Sequence, residues 1–167
     1  MAEIWGLCDE NGNLTTKRIF RGQKIPQGYY HKIVHLCIIS SDGKLLSQQR
    51  SPLKDTFPLY WDVTVGGSTI LDETENQAMT RELKEELGID IDFTNISPVF
   101  LIKGTDFIDY WFFIKYDVDL KKLTLQKDEV KDAVYYSIQQ VEELISQGKF
   151  IDYLYSNIIK EVISLMI

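Results

Sequence analysis

The mix of apolar and polar residues from Glu3 to Cys8 reads as a short strand, and Leu14 to Phe20 reads as a strand returning beside it. Between them, Asp9-Glu10-Asn11-Gly12-Asn13 contains the Asn-Gly pair that favours a tight hairpin. The pattern predicts an N-terminal β-hairpin to about residue 21. His31 to Ser40 is almost continuously apolar and β-branched, which predicts a strand covered on both faces. Ser41-Asp42-Gly43-Lys44 reads as a turn and Leu45 to Arg50 as the next strand. Ser51 to Leu59, with two prolines, reads as a loop, Tyr60 to Val65 as a short strand, and Gly66-Gly67 as a turn.

Beyond Gly67 the period changes to that of a helix. Asp72 is the predicted N-cap, with Glu75 as its capping-box partner. Met79, Leu83 and Leu87 share one face, and Gly88 is the expected left-handed cap. Ile89 to Ile102 reads as extended and partly irregular, and Phe107 to Val118 as a strongly aromatic strand. Ala133 to Tyr136 predicts a short strand. Ser137 caps a helix that Gly148 stops, and Asp152 to Met166 predicts a last helix. Strands mixed with three helical runs indicate an α+β chain with helices packed on a sheet. No repeat, low-complexity tract or linker breaks residues 1–167, so a single domain is expected.

One polar face of the central helix carries candidate chemistry. Glu82, Glu85 and Glu86 stand at i, i+3 and i+4, so they share a face centred roughly 110° from the apolar stripe. Like charges at that spacing repel by a few tenths of a kcal/mol per pair, roughly. A hard divalent cation reverses the sign, because Mg²⁺ takes carboxylate oxygen ligands. The net charge of −7 argues against an extended nucleic-acid footprint. Cys8 and Cys37 form no metal or redox motif and read as reduced core residues of a cytoplasmic protein. No basic leader or long apolar run is present, so neither secretion nor a membrane span is expected.

Gly67 is followed by Glu73 and then by Arg81-Glu82-Leu83-Lys84-Glu85-Glu86-Leu87-Gly88-Ile89. This stretch resembles the box of the Nudix hydrolases at each specified position from 67 to 89. The resemblance implies an α/β/α sandwich with a mixed central sheet, and a Mg²⁺- or Mn²⁺-dependent pyrophosphohydrolase. It assigns metal ligation to Glu82, Glu85 and Glu86, with the Gly67 carbonyl as an additional ligand. Glu82 and Glu85 are also catalytic candidates, while Glu73, Arg81 and Gly88 shape the box. An acid outside the box acts as base or extra ligand. Glu129, Asp106 and Asp109 are the candidates, with Glu129 preferred.

Further matches include Trp5, Arg21-Gly22, His31, Gln49-Arg50-Ser51, Lys54 and Pro58-Leu59-Tyr60-Trp61-Asp62. They resemble the Nudix subgroup close to isopentenyl diphosphate isomerase. Arg50, Lys54, Trp61 and Arg21 are the substrate-binding candidates. Arg21 sits in a basic stretch with Arg18 and Lys24, which reads either as a solvated loop or as a phosphate-facing edge. The isomerase carries Cys-Gly-His where this chain has Gly66-Gly67-Ser68, and Lys24 replaces one of its histidines. That favours hydrolysis of a nucleoside diphosphate-type compound over isomerisation. His31 is then expected to pack rather than ligate. A nucleotide-sensing domain without catalysis is a third reading. Trp61, Tyr110 and Trp111 either stack on a base or fill the core. The expected partner is a small-molecule diphosphate, with no nucleic acid polymer and no membrane. The hairpin and the aromatic strand are the expected surfaces of a homodimer.

Overall fold

The computed structural model of the chain describes residues 3–167. Met1 and Ala2, which fall within the sequence-based bounds of the hairpin and the domain, lie outside the described residues. The strands are β1 (Ile4–Cys8), β2 (Leu14–Phe20), β3 (His31–Ile39), β4 (Leu45–Arg50), β5 (Trp61–Asp62), β6 (Val65–Ser68), β7 (Phe100–Lys103), β8 (Phe107–Lys115) and β9 (Val130–Tyr136). The helices are α1 (Glu75–Leu87), α2 (Ile138–Ser146) and α3 (Ser156–Met166). β1 and β2 form a separate antiparallel hairpin. The main sheet runs β5-β4-β3-β8-β7, with β6 beside β3 and β9 beside β4.

The chain falls into two compact units. The first contains the chain up to His35, Gly66–Glu82 and Ile91–Phe112. Here β1 pairs with β2 from Ile4↔Phe20 to Cys8↔Leu14, and β7 pairs with β8 from Phe100↔Trp111 to Lys103↔Ile108. Its buried residues include Leu7, Val34, Met79, Phe93, Trp111 and Phe112, with Phe93 edge-on to Phe112 at 5.5 Å. Asn76 of α1 donates its amide to the carbonyls of Phe93 and Ile96, satisfying loop backbone that lacks a ladder partner.

The second unit contains Leu36–Val65, Leu83–Asp90 and Phe113–Ile167. β4 is its spine. It pairs antiparallel with β3 (Ile38↔Leu46), with β5 (Gln48↔Asp62) and with β9 (Leu45↔Tyr136 through Arg50↔Val130). Leu36, Ile38, Leu46, Leu83 and Leu87 are fully buried. Ser137 caps α2 as expected, and Gln140 bonds back to it to complete a capping box.

Three local expectations change. The cap of α1 is Thr74, whose Oγ1 accepts from the Gln77 N–H at 3.2 Å while the Thr74 N–H donates to Gln77 Oε1 at 2.9 Å. Asp72 instead pairs with Arg18. The reason is Glu73, whose Oε2 accepts from the Ile70 N–H at 3.1 Å and keeps 70–73 in a turn, which starts the helix later. Gly66 and Gly67 belong to strand β6, not to a turn. Finally, α3 begins at Ser156 rather than near Asp152, because Asp152 Oδ1 accepts the Ser156 hydroxyl at 2.9 Å ahead of the helix.

Candidate active site

In the first unit, the box is clasped by Arg81. Its Nε donates to Glu73 Oε1 at 2.7 Å, and its Nη2 donates to Glu73 Oε2 at 2.9 Å. Nη2 also donates to the Ser68 carbonyl at 2.9 Å. A planar guanidinium suits this fork, which a lysine does not reproduce. Glu82 then lies between two donors, with Oε1 3.0 Å from Arg81 Nη1 and accepting from the Ser68 N–H at 3.2 Å. Gly67 makes room for it. A Cβ at that position would fall inside the Glu82 carboxylate and come within 2.5 Å of its Cγ.

Gly66 makes room for a different group. A Cβ there would stand 2.8 Å from His35 Cδ2 and 3.0 Å from Nε2. His35 Nδ1 is 2.7 Å from Asp109 Oδ1, and its ring stacks on Trp111 at 4.5 Å. Asp109 is 1% exposed, so this pair removes a carboxylate from water. Successive strand residues point to opposite faces, so His35 and Glu82 approach β6 from opposite sides. Neither His35 nor its pairing with Asp109 was among the sequence-based candidates. The available signal was a second histidine in β3, flanked by Val34 and Leu36.

His31 packs, as expected. It is 3% exposed, stacks on Trp5 at 3.7 Å, and its Nε2–H donates to the Thr69 carbonyl at 3.2 Å. Burial lowers its pKa to about 4, against the smaller opposing effect of the Thr69 hydrogen bond. Arg21 is exposed, donates to Glu3 Oε2 at 2.7 Å and lies over the Trp5 ring. It belongs to the first unit, whereas Arg50, Lys54 and Trp61 belong to the second.

In the second unit, Glu85 is exposed and Glu86 is 5% exposed. Glu86 Oε2 accepts from Gln48 Nε2 at 2.9 Å. Its backbone carbonyl accepts from the Gln126 N–H at 3.0 Å, and the Gln126 carbonyl accepts from the Glu129 N–H at 2.9 Å. The helix end and the Glu129 segment are thus joined by backbone hydrogen bonds. Glu129 is half-buried and ion-paired with Lys54, while its carbonyl accepts from the Ser51 N–H. Arg50 donates from Nε and Nη2 to the Thr56 carbonyl at 3.1 and 3.0 Å, and its Nη1 is 3.7 Å from Asp62 Oδ2. Trp61 packs edge-on against Tyr136. Of the other acids, Asp106 is exposed and Asp109 is taken up by His35. Tyr110 and Trp111 are core residues. Gly88 closes α1 with φ +71°.

Carboxylate oxygens are the kind of donor a hard divalent cation takes. Among the described residues, however, no three His, Cys, Asp or Glu side chains stand together as a ready metal cluster. Glu82 and Glu86 are turned onto Arg81, Ser68 and Gln48. No helix among the described residues is long and apolar enough to cross a membrane.

The NUDIX domain pattern matches residues 29–155. A Nudix hydrolase of Listeria innocua is 44% identical over 156 residues, covering 93% of this chain and 92% of that one. Isopentenyl-diphosphate Delta-isomerase 1 of Bos taurus is 30% identical over 177 residues, covering 89% of this chain and 75% of that one. A crystal structure of a Deinococcus radiodurans protein matches the fold with a TM-score of 0.76, over 95% of this chain and 98% of that chain, at 21% identity. With its clasped box and its mixed-sheet α+β fold, the chain belongs to the Nudix family and is a hydrolase of the pyrophosphohydrolase class.

Proposed function

We propose that the protein is a Mg²⁺- or Mn²⁺-dependent hydrolase of a phosphoanhydride bond in a nucleoside diphosphate-type compound, acting as one catalytic domain. The observation that carries this reading is the Arg81 clasp, which orders the loop ahead of α1 and fixes Glu82 against Gly67 and Ser68. Glu82, Glu85, Glu86 and the Gly67 carbonyl are the ligands. A divalent ion bound there would neutralise diphosphate charge and make bound water more acidic. Glu129 is the acid outside the box that takes the proton from the attacking water. Lys54 orients that carboxylate before substrate arrives, and with Arg50 offers positive charge to the phosphates. Arg21 and Trp61 are proposed to contact the remainder of the substrate. The expected setting is cytoplasmic, with a homodimer as the proposed assembly.

The likeness to the bovine isomerase favours a second reading, alkene isomerisation on a diphosphate. Against it, His35 already occupies the side-chain space at Gly66, the first position of the triplet that is Cys-Gly-His in the isomerase. The test is a panel of diphosphate compounds, isopentenyl diphosphate included, incubated with Mg²⁺ or Mn²⁺ and scored for phosphate or nucleoside monophosphate. Release from one member supports hydrolysis. Isomerised product without release supports the second reading. Tight binding with no turnover indicates a sensing domain.

A further inference from the structure

Glu82 and Glu86 are each held by a neighbouring side chain. Glu82 lies against a guanidinium, 3.0 Å from Arg81 Nη1. Glu86 is 5% exposed, and its Oε2 is held by the neutral side-chain amide of Gln48. A side-chain amide that donates to one carboxylate oxygen fixes the orientation of the group. Gln48 is itself only 3% exposed, a location where an amide persists only with its hydrogen bonds made.

Both partners are rigidly mounted. Gln48 lies where β4 is paired on both edges, opposite Asp62 of β5 and Ala133 of β9. Glu86 lies in the last turn of α1, and its backbone carbonyl is tied to the Gln126 N–H at 3.0 Å. A ligand held on regular elements keeps its geometry better than one on a loop.

We infer that Gln48 is a positioning residue for metal binding. Its amide holds Oε2 of Glu86 so that the carboxylate is presented to a divalent cation in a fixed orientation. The inference rests on the proposed metal role of Glu86 and assigns Gln48 no contact with substrate. Outer hydrogen-bond partners of metal ligands typically contribute about 10–100-fold in metal affinity.

The test is titration calorimetry with Mn²⁺ alone on the full chain, using wild type, Gln48→Met, Gln48→Asn and Glu86→Gln. Thermal denaturation in chelator monitors the fold of each. Gln48→Met keeps the volume and removes the donor, and Gln48→Asn withdraws it by one methylene. Both are expected to weaken Mn²⁺ binding about 10–100-fold while staying folded in chelator. In turnover assays both are expected to raise the Mg²⁺ concentration needed for half-maximal rate more than they lower the rate at saturating Mg²⁺. Should Gln48→Met fail to fold, Gln48→Asn decides. Wild-type Mn²⁺ affinity in a folded Gln48 variant, alongside lost binding in Glu86→Gln, overturns the role of Gln48 and leaves the metal reading standing. Wild-type affinity in Glu86→Gln overturns the metal reading and the inference with it.

Discussion

Gly66→Ala is the sharpest structural perturbation available near the box. The new methyl would sit 2.8 Å from His35 Cδ2 and 3.0 Å from Nε2, several tenths of an ångström short of ordinary contact. The ring has no easy retreat. Its Nδ1 is fixed at 2.7 Å by Asp109, and its face is stacked on Trp111, which is stacked in turn on Phe100. Overpacking of this kind costs about 1–3 kcal/mol. For a chain of this size each kcal/mol lowers the melting temperature by about 2–4 °C, so a fall of about 2–12 °C is expected. The cause is isolated by repeating the substitution in a His35→Ala/Asp109→Ala background. That background removes the ring together with the carboxylate it pairs with, and so avoids leaving a buried charge. Urea unfolding of the wild type and the three variants gives the coupling energy, expected at about 1–3 kcal/mol. An equal cost of Gly66→Ala in both backgrounds refutes the contact as the reason for glycine.

Further outcomes follow from the same geometry. His31 is neutral when folded because its pKa is lowered from 6.5 to about 4. The unfolded chain therefore binds the extra proton between those values, and stability is full above pH 6.5 and declines as pH falls toward 4, by about 3 kcal/mol in all. Urea midpoints across that range check this, and the His31 part of the slope disappears in His31→Gln. Leu59 is exposed and holds φ +66°, so Leu59→Gly is expected to stabilise the chain by about 0.5–1 kcal/mol, read as a higher melting temperature. Arg81→Lys replaces a fork by a point charge, loosening both Glu73 and Ser68. A drop in turnover of about 10-fold or more is expected, with a melting temperature lowered by a few degrees.

Most of the fold was legible from local periodicity. Met79, Leu83 and Leu87 identified the covered face of α1, and all three are fully buried. Gly88 and Ser137 marked helix ends, because capping depends on residues a few positions apart. What local pattern cannot carry is pairing across long separations. His35 meets Asp109 across 74 positions, Lys54 meets Glu129 across 75, and Gln48 meets Glu86 across 38. The glycine pair shows the same limit. Consecutive glycines look like a turn, yet here each yields side-chain space to a residue from another element, His35 on one side and Glu82 on the other. At Asp72 two local signals competed. Its side chain can cap a helix, but the Glu73 turn delays the helix until Thr74 can cap it.

The central claim is that the acidic face of α1 drives metal-dependent phosphoanhydride hydrolysis. Glu86→Gln tests it most directly, because a glutamine keeps the shape and can still bond to Gln48 while losing the charge. The measurement is product release from the best diphosphate of the panel in Mg²⁺, for wild type and Glu86→Gln, each shown folded by its melting curve. The account predicts rapid release by wild type and essentially none by the variant. Full turnover by a folded Glu86→Gln variant contradicts it.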